Sequence, residues 1–169
     1  MKRNLIAFCL LAGFSTLVVA DEPRIAFPQD YKSYKNYLSL DRTGNNTNQI
    51  IRLFANETAA AGTGKDGALP NGSILVGEIY KAKLSDKGEP VESSLGRRVR
   101  GKLAAIAVME KRQGWGSKFS EEFRNGDWDF AVFSPDGKRL NKDLNSCRGC
   151  HAPLTQSDHL FSRVAAGVL

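Results

Sequence analysis

The feature that most constrains this chain is a short motif towards its carboxyl end, Cys147-Arg148-Gly149-Cys150-His151. Thiols at positions i and i+3 lie on one face of a helical turn, so both sulfurs can form thioethers with one edge of a porphyrin. The adjacent imidazole can then bind the iron from one side of the ring. The motif therefore predicts one haem c per chain, bound through Cys147 and Cys150, with His151 as the metal ligand.

Other uses of the two thiols remain open at the level of sequence but fit it less well. A redox dithiol needs a preceding strand within a thioredoxin-like βαβ pattern. A structural zinc site needs four nitrogen or sulfur ligands, and His159 is the one other histidine in the chain. A disulfide that spans two residues would be strained. Haem attachment is the favoured interpretation.

The first 20 residues resemble a secretory signal peptide. Lys2 and Arg3 supply positive charge, residues 5–19 form an uncharged apolar run, and small residues precede a cleavage point after Ala20. The run is shorter than the ~20 apolar residues of a membrane-spanning helix. We expect export to the periplasm, a mature chain without a stable membrane span, and a single haem-c domain over residues 21–169.

Composition narrows the choice of partners. The chain has 24 basic and 18 acidic residues, a net charge of +6, and the mature form would carry +4. This charge is too small to indicate nucleic acid without a clustered patch or a motif. The densest basic run, Arg97, Arg98, Arg100 and Lys102, is predicted to be a solvated strand face. Pairing with haem propionates and docking of an acidic redox partner are the alternatives.

Periodicity and turn residues predict strands and short helices rather than a helical bundle. Tyrosines spaced three residues apart after Pro28 predict a helix over residues 29–40 that ends at the glycine and asparagines 44–46. A short helix is expected after Asn56, and another over 158–164. Strands are predicted over residues 49–55, 73–84, 99–111 and 128–134, with turns at 70–72, 85–88 and 135–137.

Several short sequence segments also occur in a defined order along the chain. This order is more specific for one protein family than any single segment is. The segments are residues 51–57, 69–78, 109–111, 114–116, 127–130 and 147–151, with Asp158 and Phe161. Over residues 31–162 this order resembles the cytochrome P-460 family, including its cytochrome c-prime-beta branch. The resemblance implies an α+β fold with a mostly antiparallel β-sheet and flanking short helices around one covalent haem. It also implies a five-coordinate iron with an open distal side, and commonly a homodimer.

One departure from the family decides which branch is favoured. Hydroxylamine-oxidising members carry a lysine, bonded to the porphyrin, directly before the glutamate that matches Glu78, and here that position is Gly77. Lys81 and Lys83 share its strand face but lie roughly 13 and 20 Å further along. We therefore expect two thioethers and no third link to the haem.

This departure favours a periplasmic cytochrome that binds a diatomic gas, nitric oxide or carbon monoxide, or transfers electrons, with no catalytic residue. Its partners would be the gas or a redox protein. The alternative is a small oxidoreductase that oxidises hydroxylamine or nitric oxide at the haem. That enzyme would need a proton acceptor in the distal pocket, for which Glu78 or Glu110 is the candidate.

Met109 and His159 are the other candidates for a sixth iron ligand in the mature chain. Met109 lies in an apolar run, where a role in the core is favoured, and His159 is predicted to be structural. With neither bound, an apolar distal pocket would favour neutral diatomic ligands over water or anions. The candidates for its lining are Phe54, Leu75 and Phe133.

Overall fold

A computed structural model of the chain describes residues 24–42, 48–62, 64 and 67–162. The predicted signal peptide and the expected helix end at residues 44–46 lie outside these ranges. The main element is one antiparallel sheet of five strands in the order β1-β2-β3-β4-β5. Its strands are β1 (Lys35–Arg42), β2 (Gln49–Ala55), β3 (Ile74–Ala82), β4 (Arg100–Lys111) and β5 (Trp128–Phe133).

Short helices flank the sheet, so the predicted α+β fold class, mostly antiparallel with few short helices, is confirmed. The α-helices are α1 (Glu57–Ala60) and α2 (Asn145–His151). Single 3₁₀ turns occur at Tyr31–Ser33, Trp115–Lys118, Glu121–Phe123 and Thr155–Ser157. No helix in the described ranges is long and apolar enough to cross a membrane.

Strands β2 to β5 agree with the predicted strands to within two residues at each end. The helix predicted after Asn56 is also confirmed, because the Asn56 side chain accepts a hydrogen bond from the Ala59 amide at 3.0 Å and so caps α1. The predicted helix at 158–164 is wrong in its described part. Asp158 and His159 have left-handed backbone angles, which cannot continue a helix.

The helix predicted over residues 29–40 is also wrong. The chain makes one 3₁₀ turn and then enters β1, which pairs with β2 along its length. The tyrosine spacing misled because Tyr31 and Tyr37 pack in different core clusters rather than along one stripe. The backbone hydrogen bonds between β1 and β2 stabilise the strand, and the periodicity of apolar residues within β1 gives no sign of them. A bulge between Asn36 and Leu38 also interrupts the alternation of side chains along β1.

The two faces of the sheet carry separate core clusters. On the Phe54 face, β-strand side chains pack with Ile25 and Tyr31. On the Leu75 face, they pack with Ala59, Leu69 and Leu160. The strand residues of the first cluster are Phe54, Val76, Ile106, Val108, Ala131 and Phe133. Because side chains alternate along a strand, Gly77 and its cross-strand partners Leu53 and Ala107 belong to the Leu75 face.

A buried carboxylate, that of Glu78, lies on the Phe54 face. It accepts hydrogen bonds from Lys32 at 2.7 Å, Tyr31 at 3.0 Å, Tyr80 at 3.0 Å and Arg52 at 3.2 Å. Burial alone would raise the pKa of Glu78, but the hydrogen bonds from Lys32, Tyr80 and Tyr31 outweigh it and hold the pKa below its ordinary value. The network joins the turn before β1 to β2 and β3.

Replacing Glu78 by glutamine tests this network. A carboxylate with a lowered pKa stabilises the fold above its ordinary pKa of 4.5 and loses that contribution as the pH falls through the folded value. We expect Glu78→Gln to lower the free energy of unfolding at pH 7 by about 3 kcal/mol and to flatten its decline in acid. The exposed Glu92→Gln is the control. An unchanged acid decline in Glu78→Gln would contradict the role of this carboxylate.

Candidate functional site

The three predicted haem-binding residues lie on one helix, α2. Cys147, Cys150 and His151 stand at positions i, i+3 and i+4, which share a helical face. Both cysteines are free thiols, Cys147 half-buried and Cys150 exposed. The structure thus brings the two sulfurs and the imidazole to one side of a single helical turn.

The opposite side of α2 packs against the protein. Arg148 donates a hydrogen bond to Asp129 of β5 at 2.7 Å, and its guanidinium lies 4.3 Å from the ring centroid of Phe119. The buried Asn125 donates to the Arg148 carbonyl at 3.2 Å. Gly149 lies against Phe123. These contacts hold α2 in place by the side that carries no thiol.

The imidazole of His151 has one defined hydrogen bond. Its Nδ1 lies 2.7 Å from the carbonyl oxygen of His159. A carbonyl oxygen only accepts, so Nδ1 carries the proton and Nε2 keeps its lone pair. Burial lowers the pKa of His151 more than this hydrogen bond raises it, which favours the neutral form that binds metals.

His159 itself caps the end of α2, as expected of a structural residue. Its Nδ1 lies 3.0 Å from the carbonyl oxygen of Ala152, and its ring lies beside Gly126. Met109 packs against the core cluster of the Leu75 face, which agrees with its predicted role in the core. The contacts of His159 and Met109 thus account for both residues without a role as iron ligands.

The Leu75 face of the sheet meets α2 at strand β5. Phe130, on this face of β5, has its ring 5.1 Å from the ring of His151. Phe161 lies 4.8 Å from the same imidazole although it is 66% exposed. Further along the face come Gly77 and the half-buried Ala105 and Ala107. This surface of small and apolar side chains beside the His151 imidazole fits a flat, apolar cofactor such as haem.

Other predicted residues lie away from this surface. Of the expected distal lining, only Leu75 is on this face, since Phe54 and Phe133 pack in the cluster of the opposite face. Alternation places Glu78 and Glu110 on that opposite face as well, and Glu110 accepts a hydrogen bond from Arg112 at 2.7 Å.

The basic run lies at the far end of the sheet from α2. Arg97 pairs with Asp41 at 3.1 Å, and Arg98 donates to the Arg42 carbonyl at 3.1 Å. Arg100 begins β4, roughly 30 Å by strand length from Met109, the cross-strand partner of Phe130. This position favours the predicted solvated face over pairing with haem propionates.

Two arrangements at the site were not predicted. One is the pair formed by Arg148 and Asp129, which anchors α2. The other is the left-handed conformation of Asp158 and His159, which directs the His159 carbonyl at His151. The sequence signal for the second is weak, because residues other than glycine rarely adopt this conformation, although aspartate and histidine do so several-fold more often than most.

Comparison with known proteins identifies the family of this chain. The sequence model of a family described as Cytochrome P460 matches residues 28–162. The chain belongs to the cytochrome P460 family. Haem c is therefore the cofactor of this protein, and the resemblance seen in its sequence is confirmed. No curated protein matches the chain.

The donor set of this cytochrome P460 member fits its cofactor. Two free thiols and a neutral imidazole with a directed lone pair are the groups that covalent haem attachment uses. The zinc alternative has no support, because the described ranges contain no group of three or more histidine, cysteine, aspartate or glutamate residues that could hold a metal ion.

The segment that supports α2 depends on Gly116. A β-carbon there would overlap the carbonyl oxygen of Gly126, the residue against which the His159 ring packs. Gly116 also accepts a hydrogen bond from Arg124 at 3.2 Å. The close passage of two backbone segments therefore requires glycine at this position.

Two glycine substitutions test this geometry. We expect Gly116→Ala to destabilise the protein by about 3 kcal/mol and to reduce its haem content, because the overlap displaces the support of α2. In Gly77→Ala, the control for backbone overlap, the new β-carbon meets Leu53 at an ordinary 3.4 Å, so little change in stability is expected. Thermal unfolding is compared between the two variants, and haem content is measured for Gly116→Ala against the wild-type protein. Equal stability of the two variants would contradict the proposed support.

Proposed function

We propose that this protein is an exported monohaem c-type cytochrome that binds a diatomic gas, nitric oxide or carbon monoxide, or transfers electrons. Cys147 and Cys150 form the two thioethers, and Nε2 of His151 is the axial ligand. The observation that carries this proposal is the shared face of α2, where both thiols accompany an imidazole whose Nδ1 proton is already donated to a carbonyl.

The residues around His151 support the role of an axial ligand. When bound, the haem supplies an iron that can take a diatomic ligand or change its oxidation state. The His159 carbonyl keeps the proton on Nδ1, which orients the ring and makes Nε2 a better donor. The rings of Phe130 and Phe161 contact the imidazole in edge-to-face arrangements and limit its rotation.

Gas binding or electron transfer is better supported than oxidation of hydroxylamine or nitric oxide. Gly77 offers no side chain for a third covalent link. Lys81 is exposed and lies near the carboxyl end of β3. The two carboxylates considered as proton acceptors, Glu78 and Glu110, belong to the Phe54 face.

The remaining parts of the proposal come from the sequence. Cleavage after Ala20 would release residues 21–169 into the periplasm, where covalent haem attachment takes place. The partner is then a small diatomic molecule or a redox protein. A homodimer, implied by the family resemblance, belongs to the same proposal.

Intact mass and an optical spectrum of the exported protein test the proposal. We expect the mass of residues 21–169 plus one haem, and the spectrum of a high-spin haem c. The double variant Cys147→Ser/Cys150→Ser should lose covalent haem, because both thioethers are then absent. Met109→Leu is the matched control and should keep the wild-type spectrum.

The first two of the following results would overturn this proposal, and the third would exclude gas binding at an open site and leave electron transfer. Covalent haem retained in the double cysteine variant would exclude these thioethers. A broad, red-shifted Soret band with a peptide crosslinked at Lys81 would indicate the hydroxylamine-oxidising type. A low-spin spectrum that becomes high-spin in Met109→Leu would assign the sixth ligand to Met109.

A further inference from the structure

The position of the His159 carbonyl depends on an unusual backbone. Asp158 and His159 are consecutive residues with positive φ, 52° and 60°, and neither is glycine. Left-handed angles are unfavourable for residues with a β-carbon, so contacts elsewhere must hold this turn. The turn matters because it directs the His159 carbonyl at Nδ1 of His151.

The contacts that hold the turn come from the Asp158 carboxylate. Its two oxygens lie 2.9 and 3.0 Å from Nζ of Lys111, the last residue of β4. One oxygen also accepts a hydrogen bond from the Leu69 amide at 2.8 Å. The side chains of Asp158 and Lys111 are only 10% and 11% exposed, so solvent screens this ion pair weakly.

Lys111 is itself held firmly. Its carbonyl accepts a hydrogen bond from the Gly72 amide at 2.8 Å, and its amide donates to the Ser73 carbonyl at 3.0 Å. Its Nζ lies 5.7 Å from the ring centroid of the fully buried Trp128. The ion pair therefore connects the turn to the sheet rather than to another loop.

We propose that the ion pair of Asp158 and Lys111 positions the axial ligand, an inference that rests on the proposed role of His151. The pair holds the left-handed turn so that the His159 carbonyl accepts the Nδ1 proton of His151. It thereby sets the strength of the bond between His151 Nε2 and iron. Asp158 and Lys111 are positioning residues, since they act on His151 through the turn and the His159 carbonyl.

This role has a defined chemical consequence. A proton held by a well-placed acceptor gives the imidazole more electron density, which strengthens its bond to iron and stabilises the ferric state. Loosening the turn weakens that hydrogen bond. The iron–histidine stretching frequency should then fall, and the reduction potential should rise.

Two neutralising variants separate positioning from simple electrostatics. A direct charge effect would lower the potential in Lys111→Met and raise it in Asp158→Asn, and would leave the iron–histidine bond unchanged. Positioning lowers the iron–histidine stretching frequency in both. The measurements are resonance Raman spectra of the ferrous holoprotein and potentiometric titrations of the same samples. Asp41→Asn, which breaks the exposed pair with Arg97, is the matched control and should leave both quantities unchanged.

Two further variants keep the test decisive if a neutral one fails to load haem. Lys111→Arg retains the charge and hydrogen-bond donors, and we expect wild-type values for it. Asp158→Glu retains the charge but lengthens the side chain, so it should displace the turn and lower the frequency. Wild-type frequencies in every haem-loaded variant among Lys111→Met, Asp158→Asn and Asp158→Glu would overturn the proposal, as would opposite potential shifts with an unchanged frequency.

Failure of this inference can be told apart from failure of the proposed function. A wild-type protein without any iron–histidine band would remove His151 as the axial ligand, and the positioning role with it. A normal wild-type band that none of the variants shifts would leave the cytochrome intact and contradict positioning alone.

Discussion

The hydrogen bond between His151 Nδ1 and the His159 carbonyl is the interaction on which the rest of the site depends. It fixes the tautomer, and so leaves Nε2 as the ring nitrogen that would bind iron in the proposed cytochrome. A short helix with a thiol face could otherwise present its imidazole in several orientations. Three kinds of contact restrict the imidazole to one orientation. They are this hydrogen bond, the two aromatic contacts, and the ion pair of Arg148 with Asp129 that anchors α2.

The two faces of the sheet differ in the side chains that they carry. The Phe54 face is closed by an aromatic cluster and by the hydrogen-bonded carboxylate of Glu78, so its polar groups are used within the fold. The Leu75 face keeps half-buried small residues, Ala105 and Ala107, beside the buried Gly77. Alternation along β3 thus places Glu78 and Gly77 in opposite environments although they are neighbours.

Much of this arrangement could be predicted from the sequence, for definite reasons. The cysteine and histidine motif is local and indicated the haem cofactor of the family. The turn residues that bound β2 to β5 act over a few positions, so these strands were predicted. Strand β1 was missed because its conformation is set by pairing with β2 rather than by its own periodicity. The left-handed turn at Asp158 was missed because Lys111, which holds it, is 47 residues away. Which face of the sheet Phe54 and Phe133 occupy was not predicted, because only the strand register shows it.

A crystal structure of the haem-loaded protein tests the central claim most directly, with iron located by its anomalous scattering. We expect iron bonded to Nε2 of His151, Nδ1 still donating to the His159 carbonyl, and the porphyrin against the Leu75 face beside Gly77. Iron bonded to His159 or Met109 in place of His151, or a porphyrin on the Phe54 face, would contradict it.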